Sequence, residues 1–126
     1  MGGTGPDCRV LVVDDEPAIR YVVAETLAFE GYPVKTAENG AEALRIVETD
    51  HPELVLLDMR MPVLDGWGFA KKLKQRGLDV PIVVMTAAHN GSGWSREIGA
   101  KAYLPKPFDL IDLLDTVERL CPPPVP

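Results

Sequence analysis

The sequence predicts an α/β protein with a parallel sheet that helices cover on both faces. Short apolar runs alternate along the chain with amphipathic stretches at helical spacing. The apolar runs are continuous, as expected for strands that are buried on both sides. Five such strand–helix units follow one another, and this order favours a parallel sheet with right-handed crossovers.

The first unit has clear boundaries at both ends. Residues 10–13 are all apolar and predict a buried strand. Pro17 suits the first turn of a helix, and apolar residues follow it at helical spacing as far as Leu27. Gly31 is typical of a helix end.

The second and third units repeat this arrangement with shorter helices. Residues 34–37 predict the second strand, and residues 41–48 predict a helix with one apolar face. Residues 54–57 predict the third strand. The third helix is marked by apolar positions as far as Leu73, and we expect it to end near Gly77.

The fourth unit is the weakest and the fifth is regular. Residues 82–85 predict a strand, but the following segment contains Asn-Gly-Ser-Gly at 90–93, which disfavours a helix. We therefore expect at best a short helix over 92–98. Residues 102–104 predict the last strand, and Asp109 is placed to cap the last helix.

Size and charge restrict the classes of function. The chain of 126 residues fits one domain, which we place at 8–121, between a flexible start at 1–7 and a proline-rich tail or linker stub at 122–126. The net charge of −6 argues against direct binding of nucleic acid. No apolar run is long enough to span a membrane.

The two cysteines, Cys8 and Cys121, lack the spacing of metal ligands. We interpret them as reduced thiols and expect a cytoplasmic protein.

Polar side chains follow four of the predicted strands. Asp14 and Asp15 follow the first, Asp58 the third, Thr86 the fourth and Lys106 the fifth. In parallel α/β sheets the carboxyl ends of the strands form the binding edge, so we expect these groups to converge. Each of them alone would be read as a helix cap, a turn residue or a solvated side chain, and only the combination indicates a site.

Such a combination predicts chemistry on phosphate. Clustered carboxylates repel one another, by about 4 kcal/mol for a pair ~4 Å apart at an effective dielectric constant near 20. Lys106 offsets part of this charge, and Mg²⁺ is the cation that suits a few carboxylates together with a phosphate oxygen. Asp58 beside such an ion is a candidate nucleophile toward phosphorus.

Four motifs, in this order and spacing, make the chain resemble the receiver domain of bacterial response regulators, the CheY-like family of two-component signalling. The resemblance covers about residues 8–121. The motifs are the strand and acidic residues at 10–16, the segment 56–62 with Asp65 and Gly66, the strand end at 85–87, and the segment 99–108.

The resemblance implies a flavodoxin-like fold, a doubly wound sheet with strand order 2-1-3-4-5. It also implies that Asp58 accepts a phosphoryl group beside Mg²⁺, which Mn²⁺ could replace. Asp15 would bind this ion directly and Asp14 mainly through water, and the main-chain carbonyl of Arg60 would complete the ligands.

Thr86 and Lys106 would each contact a phosphoryl oxygen, and the Lys106–Pro107 peptide bond would be cis. Thr86 and Tyr103 would form a switch pair that repacks the surface of the fourth helix, the fifth strand and the fifth helix.

The implied phosphoryl donor is the phosphohistidine of a sensor histidine kinase or phosphotransfer protein, or a small acyl phosphate. His51 and His89 are not placed to be that donor. The chain would catalyse only its own phosphorylation and slow dephosphorylation, and would then bind an output partner. It could be a stand-alone regulator or one domain of a larger protein.

Two features depart from the family pattern. The stretch between Thr86 and Lys106 is short, so we expect the fourth helix to be short, shifted or mobile, with Trp94 as a packing residue. Arg60 and Ala88 occupy positions that influence hydrolysis of the phosphoaspartate in the family. Because Ala88 cannot orient a water, we expect a phosphorylated lifetime of minutes or longer.

Other functions fit less well. A flavodoxin-type FMN site needs a hydroxyl- and glycine-rich loop after the first strand, where this chain carries acidic residues. A phosphatase with an aspartate nucleophile would place that residue after the first strand in an Asp-x-Asp pattern, which is absent. A receiver-like module that only docks partners stays open.

Overall fold

The computed structural model describes residues 8–121, and the expectations for 1–7 and 122–126 concern residues outside this range. Strands and helices alternate through the described chain. In order they are β1 Val10–Val13, α1 Pro17–Phe29, β2 Val34–Ala37, α2 Gly40–Asp50, β3 Leu54–Asp58, α3 Gly66–Gln75, β4 Ile82–Thr86, α4 Gly91–Glu97, β5 Ala102–Pro105 and α5 Leu110–Leu120.

The five strands form one sheet in the order β2-β1-β3-β4-β5, and every neighbouring pair is parallel. The predicted fold class and strand order are therefore confirmed. The chain changes direction across the sheet between β1 and β3, so the carboxyl ends of these two strands flank the topological switch point.

Alternation along the strands divides the core between the two faces of the sheet. Val10 and Val12 pack with α1 and α5 on one face, whereas Leu11 and Val13 pack with α2, α3 and α4 on the other. All four side chains are at most 1% exposed, as expected of a strand buried on both faces.

Side-chain caps begin two of the helices. The side chains of Asn39 and Asp65 accept hydrogen bonds of 2.9 Å from main-chain N–H groups in the first turns of α2 and α3. The prediction for Asp109 is only partly right. It occupies the N-cap position of α5, but its side chain makes no capping hydrogen bond.

Helix α4 is short, as predicted. It has seven residues, whereas the other helices have between ten and thirteen. Only Gly91 and Ser95 of this helix are buried, and the N-cap residue Asn90 makes no side-chain hydrogen bond.

The prediction of two reduced thiols is wrong. Cys8 and Cys121 form a disulfide with their Cα atoms 5.8 Å apart, a separation typical of such bonds. The fold allows this pairing because the segment before the start of β1 lies beside the C-terminal end of α5. The hydroxyl of Tyr32 also donates a hydrogen bond of 2.7 Å to the carbonyl oxygen of Cys121.

Among the described residues, no helix is both long enough and apolar enough to cross a membrane.

Candidate phosphoryl-acceptor site

Three aspartates meet at the carboxyl ends of β1 and β3. Asp14 is fully buried, Asp58 is 6% exposed and Asp15 is exposed to solvent. One carboxylate oxygen from each lies within 4.8 Å of the other two. The strand register causes this meeting, because β1 and β3 are adjacent and in phase up to Val13 and Leu57.

Lys106 brings a positive charge into this cluster. Its Nζ lies 2.6 Å from Asp14 Oδ2, 3.8 Å from Asp58 Oδ2 and 3.5 Å from Glu16 Oε1. The peptide bond from Lys106 to Pro107 is cis, as predicted. The main-chain N–H of Lys106 also donates to the carbonyl oxygen of Thr86, at 2.9 Å, which ties this segment to the end of β4.

A second set of hydrogen bonds fixes Asp14. Its Oδ1 accepts from the main-chain N–H of Glu16 at 3.0 Å, and its carbonyl oxygen accepts from Arg20 Nη1 at 2.8 Å. Arg20 was not predicted to be part of the site. A basic residue at the start of a helix gives no signal of a contact with the preceding strand end.

The environment of Asp58 disfavours its ionised form. Burial raises its pKa, the positive charge of Lys106 opposes this effect, and the negative charge of Asp14 adds to it, so the pKa of Asp58 lies at about 6. A carboxylate that is costly to ionise without a counter-charge is well placed to be stabilised by a cation.

The environment of Lys106, in contrast, favours the charged form of its side chain. Burial alone would lower the pKa of its ammonium, but the hydrogen bond to Asp14 and the charges of Asp58 and Glu16 outweigh burial. The pKa of Lys106 is therefore raised, and the group stays positively charged at neutral pH.

The donor set fits a hard divalent cation. Three carboxylates with one ammonium leave two negative formal charges, and oxygen ligands of this kind are those that Mg²⁺ prefers. Asp15 is exposed and forms no salt bridge with any of the described residues, so its carboxylate can turn toward an ion without breaking one.

The cluster opens into a pocket of about 620 Å³. Thr86 lies at its edge, 3% exposed, and its Oγ1 accepts a hydrogen bond of 3.3 Å from the N–H of Ala88. The pocket wall is formed by Asp15, Glu16, Asp58, Arg60, Thr86, Ala87, Ala88, His89, Asn90, Trp94 and Lys106.

Tyr103 lies outside this pocket but on the same face of the sheet as Thr86. Thr86 pairs with Pro105 in the strand register, and Tyr103 precedes Pro105 by two positions. The ring of Tyr103 is half-buried and lies so close to Gly91 that a Cβ atom added to this glycine would overlap it. The role of Tyr103 as a switch residue stays a prediction.

Arg60 follows Asp58 by two positions, and its backbone lowers the pKa of the Asp58 carboxyl. Its guanidinium carbon lies 5.2 Å from the ring centroid of Trp94. The expected packing role of Trp94 is confirmed, because its half-buried ring also makes an edge contact with Trp67 at 4.6 Å.

The two histidines lie apart from the cluster. His51 follows α2 at the amino end of β3, the opposite end of the sheet from Asp58. His89 is exposed at the rim of the pocket. Neither is among the groups within 4.0 Å of the described carboxylates.

Known sequences resemble this chain over nearly its full length. A family model described as the response regulator receiver domain matches residues 10–118. Response regulator MprA of Mycolicibacterium vanbaalenii is 43% identical over 114 residues, and that of Mycobacterium ulcerans is 42% identical. Both alignments cover 89% of this chain and 49% of the relative, so the chain spans about half the length of these curated relatives.

Solved structures show the same architecture. The chemotaxis response regulator CheY4 of Vibrio cholerae superposes with a TM-score of 0.83 at 33% identity, over 91% of this chain and 99% of that one. The receiver domain of NtrX from Brucella abortus gives a TM-score of 0.81 at 32% identity, over 88% of this chain and 96% of that one.

Proposed function

Because the chain belongs to the response regulator receiver domain family, we propose that it is a phosphorylation-controlled switch in which Asp58 accepts the phosphoryl group. The observation that carries this proposal is the position of Asp58. It is the carboxylate at the end of β3, beside Lys106 and in the wall of a pocket.

In the proposed step, a carboxylate oxygen of Asp58 attacks the phosphorus of the donor. The new O–P bond forms as the bond from phosphorus to the leaving group breaks, and the leaving group keeps the electron pair of that bond. For a phosphohistidine donor the leaving group is an imidazole nitrogen, and for an acyl phosphate it is a carboxylate oxygen. Chemistry of this kind depends mainly on position and on electrostatic stabilisation.

Lys106 contributes a positive charge to the transferring group. Its ammonium already lies 3.8 Å from Asp58 Oδ2, so a phosphoryl oxygen on Asp58 would fall within its reach. The hydroxyl of Thr86 is a donor at the edge of the same pocket and would bind a second phosphoryl oxygen.

Asp14, Asp15 and the main-chain carbonyl of Arg60 would hold Mg²⁺ together with Asp58. When bound, this ion would supply positive charge that offsets the carboxylates and the phosphoryl oxygens. Mn²⁺ has the same preference for oxygen ligands and could take its place.

The readout of the switch would be the surface of α4, β5 and α5. Thr86 moving toward the phosphoryl group would leave space for Tyr103, and the two residues share one face of the sheet. A change of charge at Asp58 would thereby become a change of packing at a partner-binding surface.

The donor would be a sensor histidine kinase or a phosphotransfer protein, and the receiver would act in the cytoplasm with an output partner. Its own activity would be limited to accepting and slowly losing the phosphoryl group. Ala88 carries no acid or amide that could orient a water, so we expect the phosphorylated form to persist for minutes or longer.

The test is the intact mass of the protein after incubation with acetyl phosphate, with and without Mg²⁺. We expect a gain of about 80 Da, the mass of one phosphoryl group, only when Mg²⁺ is present. Asp58→Asn should abolish this gain. Asp79→Asn is the matched control, because Asp79 is exposed at the opposite end of the sheet.

A gain that survives in Asp58→Asn would contradict the proposal. So would the absence of any gain from both acetyl phosphate and a phosphorylated histidine donor, provided that the protein is folded.

A further inference from the structure

Four side chains form a cluster between the proposed phosphorylation site and α4, which we call the aromatic latch. Its members are Arg60, Trp67, Trp94 and Glu97. The guanidinium carbon of Arg60 lies 5.2 Å from the centroid of Trp94. The Trp94 ring meets Trp67 at 4.6 Å and 69°, and Trp67 Nε1 donates to Glu97 Oε1 at 3.3 Å.

The latch connects three separate parts of the chain. Arg60 belongs to the loop after β3, Trp67 to the first turn of α3, and Trp94 and Glu97 to α4. Helix α4 has only seven residues, of which two are buried, and one hydroxyl bond of 3.4 Å from Ser95 connects it to β5. The latch therefore adds a link from α4 to α3 and to the loop after β3, beside the packing of α4 on β4 and β5.

Arg60 holds a charge that no acid neutralises in this arrangement. Within residues 8–121, no carboxylate lies within 4.0 Å of its guanidinium, which instead lies over the Trp94 ring. Arg60, Trp94 and Asp58 nevertheless line the same pocket. The guanidinium is thus a free donor at the mouth of the site.

The charge of the site changes when a phosphoryl group arrives. Three carboxylates and the Lys106 ammonium carry two negative formal charges, which one divalent cation would cancel. Phosphorylation replaces the single charge of Asp58 with a phosphoryl group that carries close to two. The site then has an excess negative charge, and Arg60 is a cation in the wall of the same pocket that forms no salt bridge among the described residues.

We propose that Arg60 leaves Trp94 for an oxygen of the phosphoryl group on Asp58, and that this exchange releases α4. An arginine–phosphoryl hydrogen bond is stronger than the contact of an exposed guanidinium with an aromatic ring, so the exchange is favourable only in the phosphorylated state. The inference rests on the proposed function, and it assigns Trp94 as a positioning residue.

Coupling between two sites is reciprocal, so the latch must affect the affinity of the site. Loss of the ring frees Arg60 in advance, and Trp94→Leu should tighten binding of a phosphoryl analogue by about two- to fivefold. Arg60→Gln removes the phosphoryl contact and should weaken binding by about three- to thirtyfold. In the Arg60→Gln background, Trp94→Leu should have no further effect, because the two residues act as a pair.

The experiment uses the full chain with Mg²⁺ and fluoroberyllate, a stable analogue of a phosphoryl group. The chain has two tryptophans, so Trp67→Phe leaves Trp94 as the only one while an aromatic ring remains beside it. Binding is followed by the fluorine resonance of the bound analogue, and the state of Trp94 by quenching of its fluorescence with acrylamide.

We expect Trp94 to become more accessible to acrylamide when fluoroberyllate binds, but not when Mg²⁺ alone is added. In Arg60→Gln, Trp94 should be equally accessible before and after binding. Trp94→Phe, which keeps a ring with weaker attraction for a cation, should lie between the wild type and Trp94→Leu in affinity, and it guards against a general loss of α4 structure.

Bound fluoroberyllate with unchanged accessibility of Trp94, or additive effects of the two substitutions, would overturn the latch and leave the proposed function intact. Failure of the wild type to bind fluoroberyllate with Mg²⁺ would contradict the proposed function, and the latch with it.

Discussion

At the scale of single residues, the buried charge of Asp58 should lower the stability of the folded protein. Its pKa of about 6 lies above the ordinary value of an aspartate, near 4, mainly because the carboxyl is buried. The folded state therefore binds the proton more tightly than the unfolded state. The free energy of unfolding should fall as the pH rises between about 4 and 6, and the penalty should be fully present above this range.

Removing this charge should stabilise the protein. Without divalent cations, we expect Asp58→Asn to raise the free energy of unfolding at pH 7 by about 1–3 kcal/mol and to change it little at pH 4. Urea titrations at the two pH values measure both quantities. An Asp58→Asn protein that is less stable than the wild type at pH 7 would disprove this account of Asp58.

The residues with the strongest chemistry were also the most predictable. Asp14, Asp58, Thr86 and Lys106 each follow a buried apolar run, and parallel strands bring such positions to one edge. Arg20 and the contact of Arg60 with Trp94 were not predicted. These interactions depend on the rotamers that long side chains adopt in the folded protein. Neither residue type nor spacing in the sequence predicts those rotamers.

At the scale of the elements, two glycines of α4 differ in the space around them. A Cβ atom on Gly91 would overlap the ring of Tyr103, whereas a Cβ atom on Gly93 would meet nothing within 4 Å. Both residues lie in the same helix, so the two substitutions differ mainly in this contact.

We therefore expect opposite effects from the same change at these two positions. Gly91→Ala should lower the free energy of unfolding by about 1–3 kcal/mol, because Tyr103 must move. Gly93→Ala should raise it by about 0.5–1 kcal/mol, because alanine favours the helix. Thermal unfolding of the two variants measures both effects. Equal changes in melting temperature would show that Tyr103 does not pack against Gly91.

The boundaries of the elements were predicted well where a cap or a breaker marks them. Pro17 begins α1, and Gly31 lies just beyond its end. The loop between β3 and α3 was less predictable. Val63 there has a φ of 69°, which a β-branched residue rarely adopts, and the main-chain N–H of Leu64 donates to Pro62 across it. Nothing in the local sequence signals this conformation.

At the scale of the whole molecule, the disulfide joins the two ends of the described chain. Cys8 and Cys121 are 113 positions apart, so the bond restricts almost the entire unfolded chain. The disulfide was not predicted, because two distant cysteines in a sequence do not reveal whether the fold brings them together. Their proximity follows from β1 and α5 packing in one core.

The disulfide should contribute to global stability. Breaking it, by a reductant or by Cys121→Ser, should lower the free energy of unfolding by about 2–5 kcal/mol. Denaturant titrations with and without reductant measure this difference, and the Cys121→Ser protein should no longer respond to reductant. An equal stability of the oxidised and reduced wild type would contradict the expected constraint.

Asp58 is the residue that we propose carries the phosphoryl group. The most direct measurement is to phosphorylate the full chain with acetyl phosphate and Mg²⁺, reduce the acyl phosphate with borohydride, and sequence the peptides by mass spectrometry. Reduction converts a phosphorylated aspartate to homoserine and thus marks the acceptor. We predict the mark at position 58 alone. A mark at Asp14, Asp15 or any other carboxylate, with Asp58 unmodified, would contradict the account.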